Sequence, residues 1–267
     1  MNRIDKTFQE MKQKKAKALI AYITAGHPSL EETARLIPAI AEAGADIIEI
    51  GVPFSDPTAD GPIIQQASQR ALQGGANLPA ILEMIRLVRQ DCQVPLILFS
   101  YYNPIHAFGP ERFACEAKEA GVDGVLIVDL PPEEARELRC FTEPAGLAFI
   151  SLLAPTSPEE RIGLISRSAT GFLYFVSITG VTGTASPDMN QLQRDIARVR
   201  MISDIPLAVG FGISTPQQAQ EIAPLGDAVV IGSVLVDLID REAASPDLLK
   251  NVHDFVREFK MAVNVPG

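Results

Sequence analysis

Residues 45–62 read "ADIIEIGVPFSDPTADGP". The first part is a strand-forming run in which Ile47, Ile48 and Ile50 surround one acid, Glu49. It breaks into a loop rich in proline, glycine and aspartate, with a second acid at Asp60. An apolar run this continuous belongs to a strand covered on both faces, as in a parallel sheet flanked by helices. A carboxylate inside it is costly unless it is paired or used.

The same unit recurs along the chain. Runs that read as strands are "KALIAYITAG", "ADIIEIGVPF", "VPLILFSYY", "DGVLIVDLP", "LAFISLLAP", "GFLYFVSITG", "IPLAVGFGI" and "DAVVIGSVL". Segments with helical period lie between them, at 30–43, 63–73, 78–92, 110–120, 132–144, 158–168, 189–202 and 215–224. Further helices are expected at 246–263 and, before the first strand, at 2–15. Eight strand–helix units over 267 residues predict an α/β fold, a single (β/α)8 TIM barrel over 1–267 with an extra N-terminal helix. A doubly wound sheet is the rival. No linker, composition shift or low-complexity segment interrupts the pattern.

The barrel reading places the acids. Active sites of such barrels lie at the C-terminal strand ends and in the loops that follow. If Glu49 faces inward, Ile47 and Gly51 share its side, while Ile48, Ile50 and Val52 face the helices. Asp60 then lies in the loop above. A carboxyl in an apolar setting keeps its proton to higher pH, and a loop acid nearer water stays ionised, so the two can divide acid and base work. The structural alternative pairs Glu49 with a lysine or arginine inside the barrel and makes Asp60 the cap of the helix near Pro62.

Glycines in "SITGVTGTAS", "VGFGIS" and "VIGSVL" follow strands six, seven and eight. Gly212, Gly232 and Ser233 are placed to offer backbone N–H donors to a phosphate, although turn glycines are the plain alternative. Tyr22, Tyr101, Tyr102, Asn103 and Tyr174 fall at strand ends and could line an aromatic pocket or pack in the wall. Tyr101 and Tyr102 cannot both face inward on a regular strand. Ser100 and Asp129 also sit at strand ends.

Composition narrows the function. The formal net charge is −10 and the sequence pI about 4.9, which disfavours nucleic acid and anionic membrane as main partners. The chain is 47% hydrophobic, yet no run reaches the ~18 consecutive apolar residues of a membrane span, and the N-terminus has no signal-peptide pattern. Cys92, Cys115 and Cys140 are scattered, as free thiols in a reducing cytoplasm would be. His27, His106 and His253 form no ligand spacing, so no metal is expected. There is no GxGxxG fingerprint and no Walker lysine loop. Lys12, Lys14, Lys15 and Lys17 read as a solvated face.

The segments "YITAGHP", "IEIGVPFSDPTADGP", "YYNPI", "GVDGVLIVDLP", "GVTGT" and "VGFGIS" together resemble the alpha subunits of tryptophan synthase, in that family's order, over residues 5–238. The resemblance implies cleavage of indole-3-glycerol phosphate to indole and glyceraldehyde 3-phosphate. It makes Glu49 the general acid/base and Asp60 the partner of the indole N–H. It puts Tyr22, Ser100, Tyr102, Ile127, Asp129 and Tyr174 around the substrate and Thr182 in a closing lid. Gly183, Gly212, Gly232 and Ser233 would hold the phosphate. It further implies a beta subunit that carries pyridoxal phosphate, an alpha2beta2 assembly with Pro53, Asp56, Asn103 and Pro104 at the interface, and no cofactor in this chain. Thr58, Ser100 and Ile178 depart from residues common in the family. A stand-alone lyase releasing free indole, another phosphate-binding barrel enzyme, and a regulatory subunit with little activity alone remain rivals. The synthase that forms the substrate is disfavoured, because the strand ends carry no lysine.

Overall fold

In a computed structural model that describes residues 2–176, 188–210 and 212–265, the apolar runs become eight parallel strands of one closed barrel. They are β1 (Ala18–Thr24), β2 (Ile47–Gly51), β3 (Leu96–Ser100), β4 (Gly124–Ile127), β5 (Ala148–Leu153), β6 (Leu173–Val176), β7 (Leu207–Gly210) and β8 (Ala228–Ile231). Each pairs with the next, and β8 returns to β1 through Ala18–Ala228 to Ala21–Ile231. Closure excludes the doubly wound sheet.

Around the strands run α1 (Arg3–Lys14), α2 (Leu30–Glu42), α3 (Pro62–Gln73), α4 (Leu78–Val88), α5 (Tyr102–Phe108), α6 (Pro110–Ala120), α7 (Arg136–Thr142), α8 (Glu159–Ser168), α9 (Met189–Ile202), α10 (Pro216–Ile222), α11 (Ser233–Arg241) and α12 (Leu248–Ala262). Two were not expected. The run "VPLILFSYY" ends as strand at Ser100, and α5 begins at Tyr102 because the Asp129 carboxylate accepts from its N–H at 2.7 Å. The run "DAVVIGSVL" stops at Ile231, and past Gly232 the buried residues Leu235, Val236 and Ile239 follow helical spacing. α4 ends at Val88 and α7 covers only Arg136–Thr142, shorter than the apolar pattern suggested.

Strand alternation sorts the core into two parts. Leu19, Ala21, Ile23, Ile48, Ile50, Leu98, Val125 and Phe149 face the helices. Ile20, Ile47, Ile97, Leu126, Ile150, Ala208 and Val230 fill the barrel. Its floor is closed by α1, whose Ile4, Phe8 and Met11 join the interior cluster, with Phe8 5.6 Å from the Phe172 ring. Each such side chain contributes about 1.5–3 kcal/mol through burial. The floor therefore excludes water from the end of the barrel opposite the acids.

A charged knot ties the floor in place. Asp123 accepts from Arg3 Nη1 at 2.9 Å, from Arg89 Nη2 at 2.6 Å and from Leu96 N at 2.9 Å. The Arg89 and Asp123 side chains are nearly sealed from solvent, so removing one strands the other. Asp123→Ala is expected to lower unfolding free energy by about 3–5 kcal/mol in urea titrations. A loss under about 1 kcal/mol would show that the knot contributes nothing beyond a surface pair.

Candidate active site

Glu49 sits at the centre of β2, opposite Tyr22 of β1 and Ile97 of β3. It is 0% exposed, and among the described residues neither carboxyl oxygen has a hydrogen-bond partner. The buried ion pair offered as the structural alternative is thus not formed. Its inward neighbour Ile47 lies in the barrel interior and Ile48 and Ile50 in the helix layer, as alternation requires. Desolvation pushes the Glu49 pKa up to about 8, so the carboxyl holds its proton at neutral pH.

Asp60 is half-buried in the turn before α3. Burial raises its pKa to about 6, and the Tyr101 hydroxyl, hydrogen-bonding to the carboxylate, draws it partly back. α3 is capped by Gly61 with no side-chain hydrogen bond, so Asp60 does not serve as a helix cap. The two carboxyls therefore differ by environment. One is enclosed and protonated, and the other lies nearer the mouth and ionises first.

Two tyrosines flank Glu49. A Cβ on Gly51 would lie 2.1 Å from the Tyr22 hydroxyl, and one on Gly210 would lie 2.4 Å from the Tyr174 hydroxyl. Each ring thus lies across a glycine of the neighbouring strand, where no side chain fits. Phe99 holds Tyr22 edge-on at 5.3 Å. Burial together with the nearby carboxylates Asp60 and Glu49 raises the Tyr22 pKa, while burial and Glu49 raise that of Tyr174. Both hydroxyls remain neutral donors. Thr24 of β1 lies opposite Gly51.

Gly232 packs 3.6 Å from Tyr22 Cβ, measured from where its own Cβ would be, and opens α11. Its carbonyl accepts the first helical bonds from Leu235 and Val236, and no side chain caps this turn. Ser233 is the first helical residue. Gly212 has a positive φ of 59°, and among the described residues nothing lies within 4 Å of where its Cβ would be. α3 and α11 pack together over Tyr22 through Ala67 and Val236, so the helix that starts beyond Asp60 and the helix with the uncapped N-terminus are neighbours.

Other expected residues fall elsewhere. Ser100 and Ile127 are paired and share the helix-facing side of β3 and β4, because Phe99 and Leu126 point inward. The Ser100 hydroxyl donates to the Tyr101 carbonyl at 2.8 Å. Tyr102 lies on α5, 5.6 Å from the His106 ring, and packs in the helix layer. The structure does not bring these three side chains to Glu49. Asp129 is committed to the start of α5. Thr182, Gly183 and Ile178 lie outside the described residues. Asp56 and Asn103 are exposed and Pro104 is half-buried, whereas Pro53 is covered by the chain itself. Phe99, Thr24, Gly51 and Gly210 were missed. Phe99 was readable from its two-residue spacing to Ile97, but the glycines become meaningful only once the facing tyrosines are known.

Among the described residues no group of His, Cys, Asp and Glu could hold a metal ion, and no helix is long and apolar enough to cross a membrane.

The family model for the tryptophan synthase alpha chain matches residues 8–264. The chain belongs to that family. It is 52% identical over 263 residues to the tryptophan synthase alpha chain of Geobacter sulfurreducens, covering 98% of this chain and 99% of that one. The crystal structure of tryptophan synthase subunit alpha from Legionella pneumophila superposes with a TM-score of 0.92 at 39% identity, covering 98% of each chain. A chain of tryptophan synthase from M. tuberculosis in its ligand-free form superposes at 0.89 with 30% identity, covering 99% of this chain and 100% of that chain. The resemblance read from the motifs is thereby confirmed. So is the barrel that it shares with these alpha chains.

In this alpha chain the raised Glu49 pKa carries a stability signature. Its carboxyl binds a proton more tightly folded than unfolded, so its contribution is fullest below about pH 4.5 and is lost as pH rises towards about 8. Glu49→Gln should therefore gain stability over the native chain progressively from pH 5 to 8, reaching on the order of a few kcal/mol. A difference that stays flat with pH in chemical denaturation would mean that Glu49 ionises normally.

Proposed function

We propose that Glu49 and Asp60 carry out the retro-aldol cleavage of indole-3-glycerol phosphate that belongs to this lyase family. The observation that carries the assignment is the unpartnered, fully enclosed Glu49 carboxyl facing the same interior as Tyr22 and Tyr174. Protonating a ring carbon requires an acid that still holds its proton at working pH. A carboxyl with a pKa near 8 does so.

In this reading Glu49 gives its proton to C3 of the indole ring. The positive charge that develops on the ring nitrogen is offset by Asp60, which accepts from the N–H. Glu49, now ionised, takes the proton from the side-chain hydroxyl next to C3. The carbon–carbon bond breaks, its electrons return to the ring, and indole and glyceraldehyde 3-phosphate separate. The uncapped N-terminus of α11 with Gly232 and Ser233, together with Gly212, holds the phosphate. Gly183 is assigned to the same cradle and Thr182 to the lid from the resemblance alone. Tyr22 and Tyr174 form the walls beside the ring.

The chain is read as one half of a two-subunit enzyme, with a beta subunit docking near exposed Asp56 and Asn103. Pyridoxal phosphate belongs to that partner, and this chain's own groups suffice for the cleavage. The working compartment is the cytoplasm.

Cleavage is followed as glyceraldehyde 3-phosphate with a coupled dehydrogenase, with and without a beta subunit. Glu49→Gln and Asp60→Asn should each cost at least roughly 10²–10⁴ in turnover while leaving the fold intact. The native profile of kcat/KM should be bell-shaped, with limbs near pH 6 for Asp60 and near 8 for Glu49. Near-native turnover in either variant sinks that residue's role. Turnover indifferent to a beta subunit favours the stand-alone lyase.

A further inference from the structure

Tyr101 has a place in the chain's chemistry that its position in sequence does not announce. It follows the last residue of β3 and precedes the first residue of α5, and it is 3% exposed. Its hydroxyl accepts the backbone N–H of Ala59 at 2.8 Å, across 42 residues of sequence. Asp60 is the next residue in the chain, and the phenol lowers its pKa against the rise that burial causes. The ring is held from the other side by Phe54, 5.2 Å away. The phenol therefore holds the acid loop at the residue before Asp60.

The phenol is itself anchored. Tyr101 is the N-cap residue of α5, and the N–H of the next residue, Tyr102, donates to Asp129 Oδ1 at 2.7 Å. Asp129 lies in the exposed turn that follows β4. The order of support runs from that turn to the start of α5, to the Tyr101 hydroxyl, and then to the acid loop at Ala59. Apart from Phe54 and Pro57, the acid loop 54–61 holds small or polar residues. The Tyr101 hydroxyl holds its backbone at Ala59.

We infer that Tyr101 is a positioning residue for the cleavage, its hydroxyl fixing the acid loop and presenting Asp60 as the ionised partner of the substrate N–H. The inference rests on the role assigned to Asp60 above. Donation to the charged form favours that form, so the phenol keeps Asp60 ionised to lower pH than its burial alone would allow. The titratable groups in this neighbourhood are Tyr22 and Glu49 on the barrel side and Asp129 beside Tyr101. The residue touches neither the α11 N-terminus nor Glu49, so its removal should leave phosphate binding alone.

Tyr101→Phe deletes one oxygen and keeps the ring. The expected result is a fall in kcat of roughly tenfold at neutral pH, KM within about twofold, and an acid limb displaced upward by roughly half a pH unit or more. Asp129→Ala, which removes the acceptor of the Tyr102 N–H, should reproduce part of the Tyr101→Phe shift. A carbon-detected NMR titration of the Asp60 carboxyl in native and Tyr101→Phe chains reads the same interaction without turnover. If the native chain fails to cleave the substrate, the functional reading fails, and this titration still decides the positioning claim. An Asp60 titration and acid limb unmoved by Tyr101→Phe overturn it, whatever happens to thermal stability.

Discussion

Glu49 is sealed from solvent, and the rest of the architecture follows from that enclosure. A strand interior can enclose a carboxyl only if the sheet closes and the end beneath is sealed. Here the barrel closes through β8 and β1, and α1 seals the floor with Ile4, Phe8 and Met11. The Arg3–Asp123–Arg89 knot holds that seal. Opening the floor would hydrate the interior and let the carboxyl ionise at ordinary pH, so residues far from the mouth maintain the acid by excluding solvent.

The mouth is arranged on the opposite principle. In the proposed reaction Asp60 works ionised, and it sits in a half-exposed loop where the Tyr101 phenol offsets part of the rise that burial causes. The packing of α3 on α11 over Tyr22 places the loop acid and the uncapped helix N-terminus on neighbouring elements. A substrate with an aromatic ring at one end and a phosphate at the other can therefore be held at both ends while the bond between them is worked on. The two glycines beneath the tyrosines let the rings lie close to the backbone.

Much of this was legible in the chain. Eight apolar runs at regular spacing required a covered parallel sheet, and an acid at the centre of one such run could point only into the barrel or at a helix. The spacing of Ile47, Glu49 and Gly51 was enough to choose. Tyr101 and Tyr102 show where legibility stops. Whether the strand continues through them or turns into α5 is decided by the Asp129 carboxylate, 27 residues away, and no local pattern encodes that bond. Ser100 and Ile127 illustrate the same limit, because a shift of one residue along a strand moves a side chain from the barrel interior to the helix layer.

The claim on which the account turns is that Glu49 is an acid kept protonated by enclosure. A carbon-detected NMR titration of the Glu49 carboxyl, assigned by comparison with Glu49→Gln, measures this directly. The account predicts a midpoint near pH 8 that is set by desolvation. A midpoint in the ordinary glutamate range, near 4.3, would contradict it and would leave the chain without a proton donor for the ring carbon.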